Sequence, residues 1–321
     1  MSSLKTINGF EWLVIVNPNA GRKRGLQDWP EIKSLLINNH IHFFEVFTER
    51  PGHAIEISRE YIEKGIRKII VIGGDGTMNE VINGLFRQTK YPTTSVLLGM
   101  ITVGTGNDWG RMFQIPLGYA EAIDTIKSGR TFIQDAGLVS YRNGERNGRS
   151  REDRYFVNIA GLGFDALVTQ KTNRLKEKGR GGTLLYFLNI FSSLMNYRFV
   201  NAMFNIDGKT YQNEIFSMNI GIGKYSGGGM MQVPGAIADD GLFDLTVIKR
   251  LSKTNVVLSL HRLYKGTIHL HPRVETYSGK SITIDSDTVI HLETDGESLG
   301  HTPIEFKIIP KSVKVISGMV G

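Results

Sequence analysis

KIIVIGGDGTMNEVINGLF, residues 68–86, sets out a strand, a turn and a helix in that order. Lys68–Ile72 is a short, largely β-branched apolar run, the pattern of a buried strand. Gly73, Gly74 and Gly76 interrupt it, with Asp75 and Thr77 among them. From Met78 to Phe86 the apolar residues Val81, Ile82 and Leu85 recur on one helical face. Two adjacent glycines, an acid and a hydroxyl at a strand-to-helix junction are more than a turn requires.

The same alternation extends on both sides. Upstream, Trp12–Val16 is a strand ending at Asn17-Pro18, residues 29–39 have helical spacing, Ile41–Phe47 is strand-like and Ala54–Lys64 is an amphipathic helix. Downstream, Ser95–Val103 is a strand that runs into Gly104-Thr105-Gly106-Asn107-Asp108. Repeated β-α-β units predict a parallel sheet wrapped by helices. After about Asp135 the pattern changes to separated strands: Tyr155–Ile159, Ala202–Ile206, Ile215–Ile220, Leu242–Ile248, Ser281–Asp285 and Thr288–Leu292. One helix, Thr183–Met195, interrupts them and carries Leu184, Phe187, Leu188, Phe191, Leu194 and Met195 on one face. Core packing is the first explanation of that stripe and membrane contact the second. Ser312–Ile316 is a further strand that can return to the first domain. The expected organisation is therefore α/β: an N-terminal parallel-sheet nucleotide-binding domain over 1–136, with 310–321 as a candidate completion, and a mostly antiparallel β-sandwich-like domain over 137–309.

Composition narrows the function classes. The 321 residues are 40% hydrophobic and include no cysteine, so disulfides and thiolate metal sites are excluded. That usage suits a reducing, cytoplasmic setting. The first residues lack a secretory apolar run, and no stretch reaches the ~20 apolar residues of a membrane span. A net charge of +7 suits nucleic acid, phosphate ligands and anionic membrane surfaces. Its densest basic segment, RNGERNGRSREDR at 142–154, reads as a solvated hairpin loop.

Three glycine-rich turns follow strands in the first domain, at Asn17–Gly21, Gly73–Thr77 and Gly104–Asp108. Parallel sheets bind ligands at the carboxyl ends of their strands. Glycine lets the backbone approach phosphate oxygens, and helix N-termini offer unpaired N–H donors. A carboxylate among phosphates needs a bridging cation, so Asp75 and Asp108 imply Mg²⁺. Arg22, Lys23 and Arg24 are candidates to neutralise phosphate. The Walker sequence is absent, and Gly104, Gly106 and Gly110 make GxGxxxG, one residue too long for the dinucleotide fingerprint. His269 and His271 read as a surface pair rather than metal ligands, and Asn158 and Asn219 as residues that satisfy backbone groups.

Asn17-Pro18 with Gly21, GGDGTMNEVINGL and GTGNDWGR together resemble the catalytic-domain motifs of the diacylglycerol kinase family, which also contains sphingosine and ceramide kinases. Gly227-Gly228-Gly229, Pro234, Asp239–Asp244 and Thr294-Asp295-Gly296-Glu297 resemble its later motifs, in the same order. Trp109 stands where the family more often has Phe, which keeps an aromatic ring. The resemblance implies an ATP- and Mg²⁺-dependent lipid kinase with diacylglycerol as the default acceptor. Asn17, Thr48, Thr105 and the residues Gly73, Gly74, Asp75, Gly76, Thr77, Met78, Asn79 and Glu80 would hold ATP in a cleft between the domains. Asp75 would help hold the catalytic Mg²⁺, with Asp108 and Asp135 in a water-bridged network beside it. Ile237 and Leu242 through their carbonyls, and Asp240 through its carboxylate, would hold a second, structural Mg²⁺. Glu297 would be the general base, with Asp295 the competing candidate. The partners implied are a nucleotide and a lipid at a membrane surface, not nucleic acid; a homodimer is left open. Two other functions compete. An NAD kinase-like phosphotransferase shares GGDG-type turns but should carry an Asn-Glu motif that this chain lacks. A non-catalytic lipid or nucleotide sensor should lose Asp75 or Glu297, and both are present.

Overall fold

The computed structural model describes residues 10–144, 150–177, 194, 197 and 199–319. They form two compact units. One runs to Ala136 and includes the residues from Pro310 onward; the other is Gly137–Ile309.

The first unit is a parallel sheet. Strands β1 (Trp12–Val16), β2 (Phe43–Phe47), β3 (Lys68–Gly73) and β4 (Leu97–Thr102) lie in the order β2-β1-β3-β4, every pair parallel. Lys314 and Val315 pair in parallel with Leu97 and Leu98, adding a fifth strand beside β4. β1 is buried throughout, and β3 and β4 at all but their first residue. Such continuous burial is what a parallel sheet covered on both faces demands. The helices are α1 (Ala20–Gln27), α2 (Trp29–Asn38), α3 (His53–Glu63), α4 (Asp75–Arg87), α5 (Asp108–Met112) and α6 (Tyr119–Ser128). α3 packs along α4, and α2 against α6.

The chain passes into the second unit within β5 (Thr131–Arg142) and leaves it within β16 (Glu297–Ile316). Between them come β6 (Arg151–Phe156), β7 (Ile159–Gly163), α7 (Phe164–Glu177), β8 (Val200–Ile206), β9 (Lys209–Gly221), β10 (Tyr225–Ser226), β11 (Met230–Met231), β12 (Phe243–Lys249), α8 (Lys253–Lys265), β13 (Val274–Gly279), β14 (Ser281–Asp285) and β15 (His291–Thr294). The pairs β5-β6, β7-β9, β7-β15, β8-β9, β8-β14, β9-β12, β10-β11, β12-β13, β14-β16 and β15-β16 are all antiparallel. β9 pairs β7 and β12 along its second half and β8 along its first. β16 pairs β15 and then β14. These two long strands join the layers of a sandwich-like fold. The pairings β9-β7-β15-β16-β14-β8-β9 form a closed circuit, which leaves those strands no free edge between them. Phe156, Phe243 and Phe306 fill part of the interior, all fully buried, with ring centroids 5.8–6.2 Å apart. Each contributes roughly 1.5–3 kcal/mol by leaving water.

Some elements differ from expectation. The strand predicted over Tyr155–Ile159 is broken: β6 ends at Phe156 and β7 starts at Ile159. The amides of Val157 and Asn158 at the break donate to the Asp295 carboxylate. The strand expected at Thr288–Leu292 forms at His291–Thr294, because the Ile290 amide is taken by the Thr302 hydroxyl. Helices α1, α5, α6, α7 and α8 and strands β5, β10, β11 and β13 are additions to the expected elements. The predicted helix Thr183–Met195 lies outside the described residues apart from Leu194, which is buried with Phe164, Val168 and Phe216. Within the basic segment at 142–154, Arg142 pairs across from Arg151, as a hairpin requires, while 145–149 lie outside the described residues. Among the described residues no helix is long and apolar enough to cross a membrane.

Candidate active site

At the carboxyl edge of the parallel sheet the three glycine turns are tied into one assembly. Asn17 follows β1. Its amide donates to the Ile72 carbonyl (2.9 Å), and its side chain donates to the Thr77 hydroxyl (2.9 Å) and accepts from the Asn19 amide (3.0 Å). The Val103 amide donates to the Gly73 carbonyl (2.9 Å), joining the second turn to the third. Gly21 closes the ring. It has φ +59°, and a Cβ there would lie 1.8 Å from the Val103 carbonyl oxygen. No side chain fits that approach, so the first turn packs on the third only through glycine.

Two carboxylates converge at this edge. Asp75, at the start of α4, accepts from the Trp109 amide (2.9 Å) and the Asp108 amide (3.2 Å). It thereby caps α5, two of whose first amides would otherwise lack partners. Burial pushes the Asp75 carboxyl above its ordinary value, against the pull of these amides. A Cβ on Gly106 would sit 3.0 Å from Asp75 Oδ2 and 3.3 Å from Asp108 Oδ2, so both oxygens face the bare backbone there. On the same turn the Asn107 side-chain oxygen, buried without a hydrogen-bond partner, faces Gly104, 3.0 Å from where a Cβ there would sit. Two carboxylate oxygens converging on bare backbone suit a small hard cation. Among the described residues no three His, Cys, Asp or Glu side chains gather as a metal cluster. The remaining ligands for Mg²⁺ would be waters and phosphate oxygens, its usual partners beside a nucleotide.

The other expected nucleotide residues divide by where their side chains go. Gly73, Gly74, Gly76 and Thr77 form the turn and first residues of α4, and Thr105 is exposed on the third turn. Thr48 is buried, and its amide donates to the Val16 carbonyl (2.9 Å). Three side chains turn into the protein instead. Met78 is fully buried; Asn79 accepts from the Asn83 side chain (3.1 Å); and Glu80 accepts from the Gly52 (2.8 Å) and Ala54 (3.1 Å) amides at the start of α3. Arg22 and Lys23 are exposed in left-handed backbone (φ 63° and 70°), a conformation that costs a non-glycine residue roughly 1–2 kcal/mol. Arg24 is committed to Asp28 (2.9 Å) and Tyr119 (2.7 Å). Asp135, fully buried on β5, accepts from the Lys311 amide (2.6 Å).

In the second unit the Thr294–Glu297 turn is clamped on several sides. Asp295 accepts from the Val157, Asn158 and Ile159 amides, each at 3.1 Å. Its own amide donates to the Ile159 carbonyl (2.9 Å). Asn173 of α7 donates to the Gly296 carbonyl (3.1 Å), and Glu293 accepts from the Gly296 amide (3.0 Å). Asp295 is therefore a brace, and Glu297 is presented at an exposed position of the turn. Glu293 is buried and Asp165 half-buried, and desolvation pushes both carboxyls up, Glu293 well above the ordinary range. Asp165 accepts from Asn219 (3.1 Å) and Gln232 (3.2 Å). Asn219 thus serves a side chain rather than the backbone, whereas Asn158 does bond a backbone group, the Tyr225 carbonyl (2.7 Å). Asp165 and Glu293 escape sequence reasoning because only the fold desolvates them.

At the Asp240 loop, Asp240 accepts from the Leu242 amide (3.0 Å), which shapes the turn, and Ile237 is exposed. Asp244 lies close enough that its carboxyl is pushed up by burial and by the Asp240 charge. Asp244 joins the acidic loop as a residue not singled out beforehand, though DDGLFD contains it. Repulsion between these two carboxylates is what a cation there would relieve.

Two family models account for most of the chain. The diacylglycerol kinase catalytic domain matches residues 11–139, and the YegS C-terminal NAD kinase beta sandwich-like domain matches residues 158–317. A diacylglycerol kinase from Staphylococcus carnosus is 28% identical over 302 residues, 94% of this chain and 93% of its own. One from Staphylococcus aureus (strain MRSA252) is 28% identical over 304 residues, 95% and 91% of the two chains. A crystal structure from Bacillus anthracis str. Sterne, assigned as a diacylglycerol kinase, superposes with a TM-score of 0.77 at 28% identity, covering 97% of this chain and 96% of that one. Yeast NADH kinase complexed with NADH shares the fold, with a TM-score of 0.54 at 14% identity over 97% and 84% of the chains. With both domain models matched in order and relatives aligned along nearly its whole length, the chain belongs to the diacylglycerol kinase catalytic-domain family.

Proposed function

We propose that this protein is an ATP-dependent lipid kinase that transfers the γ-phosphoryl group to a lipid hydroxyl, with diacylglycerol as the acceptor. The observation that carries the proposal is the approach of the Asp75 and Asp108 carboxylate oxygens to the bare backbone of Gly106. An acidic oxygen set of this kind within phosphate-accommodating glycine turns suits a nucleotide bound with Mg²⁺. When bound, the cation would neutralise charge on the transferring phosphoryl group.

Each residue then has a role that follows from its bonding. The backbone of 73–77 offers N–H groups to phosphate, with the N-terminus of α4 behind them. Met78, Asn79 and Glu80 act indirectly by fixing α4 in place. Asp75 and Asp108 would hold the cation, and Arg22 and Lys23 are the basic residues at hand for phosphate. A lipid hydroxyl must lose a proton as the new P–O bond forms, and Glu297 would accept it. Asp295 is unsuited to that role, because its oxygens already accept three amides. The Asp240 loop would hold a structural cation through Asp240 and the carbonyls of Ile237 and Leu242, with Asp244 beside them.

The test is transfer of radiolabelled γ-phosphate to a panel of lipids and to NAD, with and without Mg²⁺. Label in phosphatidic acid supports the proposal. Label in NAD alone would move the protein to the NAD kinase activity suggested by its fold neighbour. Nucleotide binding without transfer to any acceptor would make it a sensor.

A further inference from the structure

The outer face of α8 and the short turn after it combine exposed apolar side chains with positive charge. α8 buries Val256 and Ser259, and Val256 and Leu263 pack with Phe164, Val168, Phe216 and Ile268. Its other side carries Val257, Leu258 (70% exposed) and Tyr264, and the 3₁₀ turn Ile268–Leu270 adds Leu270 (64% exposed). Four of the twelve exposed large hydrophobic residues among those described fall within 257–270. Scattered exposed leucines are ordinary, but a local concentration marks a surface meant to be covered. Helical spacing sets Val257, His261 and Tyr264 in one row and Leu258, Arg262 and Lys265 in the next. No Asp or Glu occurs from Lys249 to Val274, a segment holding six Lys or Arg and three His. Lys249 and Arg250 pair with Glu275 and Glu214 at its edge. Burial lowers the proton affinity of His271, and the charges of Arg262 and Arg273 lower it further, so positive charge from helix and turn meets at this residue.

We infer that this face docks the protein on an anionic lipid bilayer, with Leu258 and Leu270 entering the apolar boundary and Arg262, Lys265 and Arg273 meeting the headgroups. Interfacial helices join these two features, an apolar row and a basic one. Charge decides between a bilayer and a second copy of the chain. A two-fold dimer through this face would set like charges against each other, whereas an anionic surface is complementary to it. The inference gives the proposed kinase a place to meet its lipid, and to that extent it rests on that function.

The experiment is co-sedimentation of the full chain, without nucleotide, with vesicles of phosphatidylcholine alone or mixed with phosphatidylglycerol. Binding is expected only to the mixed vesicles and is expected to weaken with added salt. Leu258→Gln with Leu270→Gln should weaken it by at least tenfold, given the apolar area each leucine would lose. Arg262→Gln with Lys265→Gln should weaken it roughly fivefold per charge. Leu258, Lys265 and Leu270 are exposed and Arg262 is half-buried, so both pairs should melt close to the parent and transfer phosphoryl to a soluble short-chain diacylglycerol at the parent rate. Equal, salt-insensitive binding to both vesicle types would overturn the inference. So would leucine variants that bind as the parent does, or a parent that is dimeric where those variants are monomeric. A parent that binds anionic vesicles but phosphorylates no lipid would leave the docking face standing and remove the kinase.

Discussion

Asp295→Asn takes one oxygen from a turn in which both are in use. Oδ2 holds the Val157 amide, and Oδ1 those of Asn158 and Ile159, each at 3.1 Å. An asparagine oxygen in the Oδ1 position keeps two of the three, now to a neutral acceptor, and turns an NH₂ toward Val157. Exchanging charged for neutral acceptors costs ~1 kcal/mol per bond, and a stranded amide ~1–3 kcal/mol more. Water reaches this partly exposed turn, so the sum falls near the low end, ~3 kcal/mol. For a domain of this size that lowers Tm by roughly 6–12 °C. Glu297→Gln, two residues away and exposed, should change stability by less than ~0.5 kcal/mol. Turnover should respond the opposite way, falling ~10²–10⁴-fold in Glu297→Gln through loss of the base. The assays are thermal and urea unfolding of both variants beside Mg·ATP-dependent lipid phosphorylation. A fully stable Asp295→Asn, or one as inactive as Glu297→Gln while folded, would refute the division into brace and base.

Asp75→Ala should abolish turnover and remove the Mg²⁺ dependence of nucleotide binding by calorimetry, with ~1–2 kcal/mol lost from the uncapped α5; retained turnover would remove Asp75 from the site. Mg²⁺ at about a hundred times its Kd should stabilise the parent by ~2.7 kcal/mol. That increment should shrink in Asp240→Ala, and an equal response would make the loop an ordinary turn. Glu293 is held protonated above its ordinary range, so the folded state binds more protons than the unfolded one. Stability from this group is complete below the unfolded value near 4.5 and is lost as pH rises toward the higher folded value. Unfolding followed across that window should show a downward slope in the parent and a shallower one in Glu293→Gln, and identical slopes would contradict the assignment.

The first unit was legible because its signals are local: apolar runs ending in glycine turns mark β1, β3 and β4 and their carboxyl edge. The second was legible as antiparallel from strands such as Ser281–Asp285, whose burial alternates. Helix α8 was not, and the reason is physical. Its outer face keeps Val257, Leu258 and Tyr264, so the apolar residues run round the helix and blur the period that would identify it. The same exposed residues that hide the helix suggest its docking role. At the candidate site, residue types and order pointed to Asp75, Asp108 and Glu297, but bonding partners could not be read. Glu80 looks like a ligand residue in sequence and is occupied by the start of α3. Asp295 looks like a rival base and is occupied by three amides. Glu293 and Asp165 look like surface acids until the fold encloses them.

The fifth strand of the parallel sheet comes from Lys314 and Val315, more than two hundred residues after the Leu97 and Leu98 they pair with. On the ribosome, β4 therefore emerges with one edge open. It stays so while Gly137–Ile309 is made, ~10–35 s at usual elongation rates. The parallel sheet can close only after the whole antiparallel unit has left the exit tunnel. An open strand edge of that duration invites pairing with a neighbouring nascent chain. Slow synthesis of this protein should therefore favour aggregation, and a chaperone that shields β4 should relieve it.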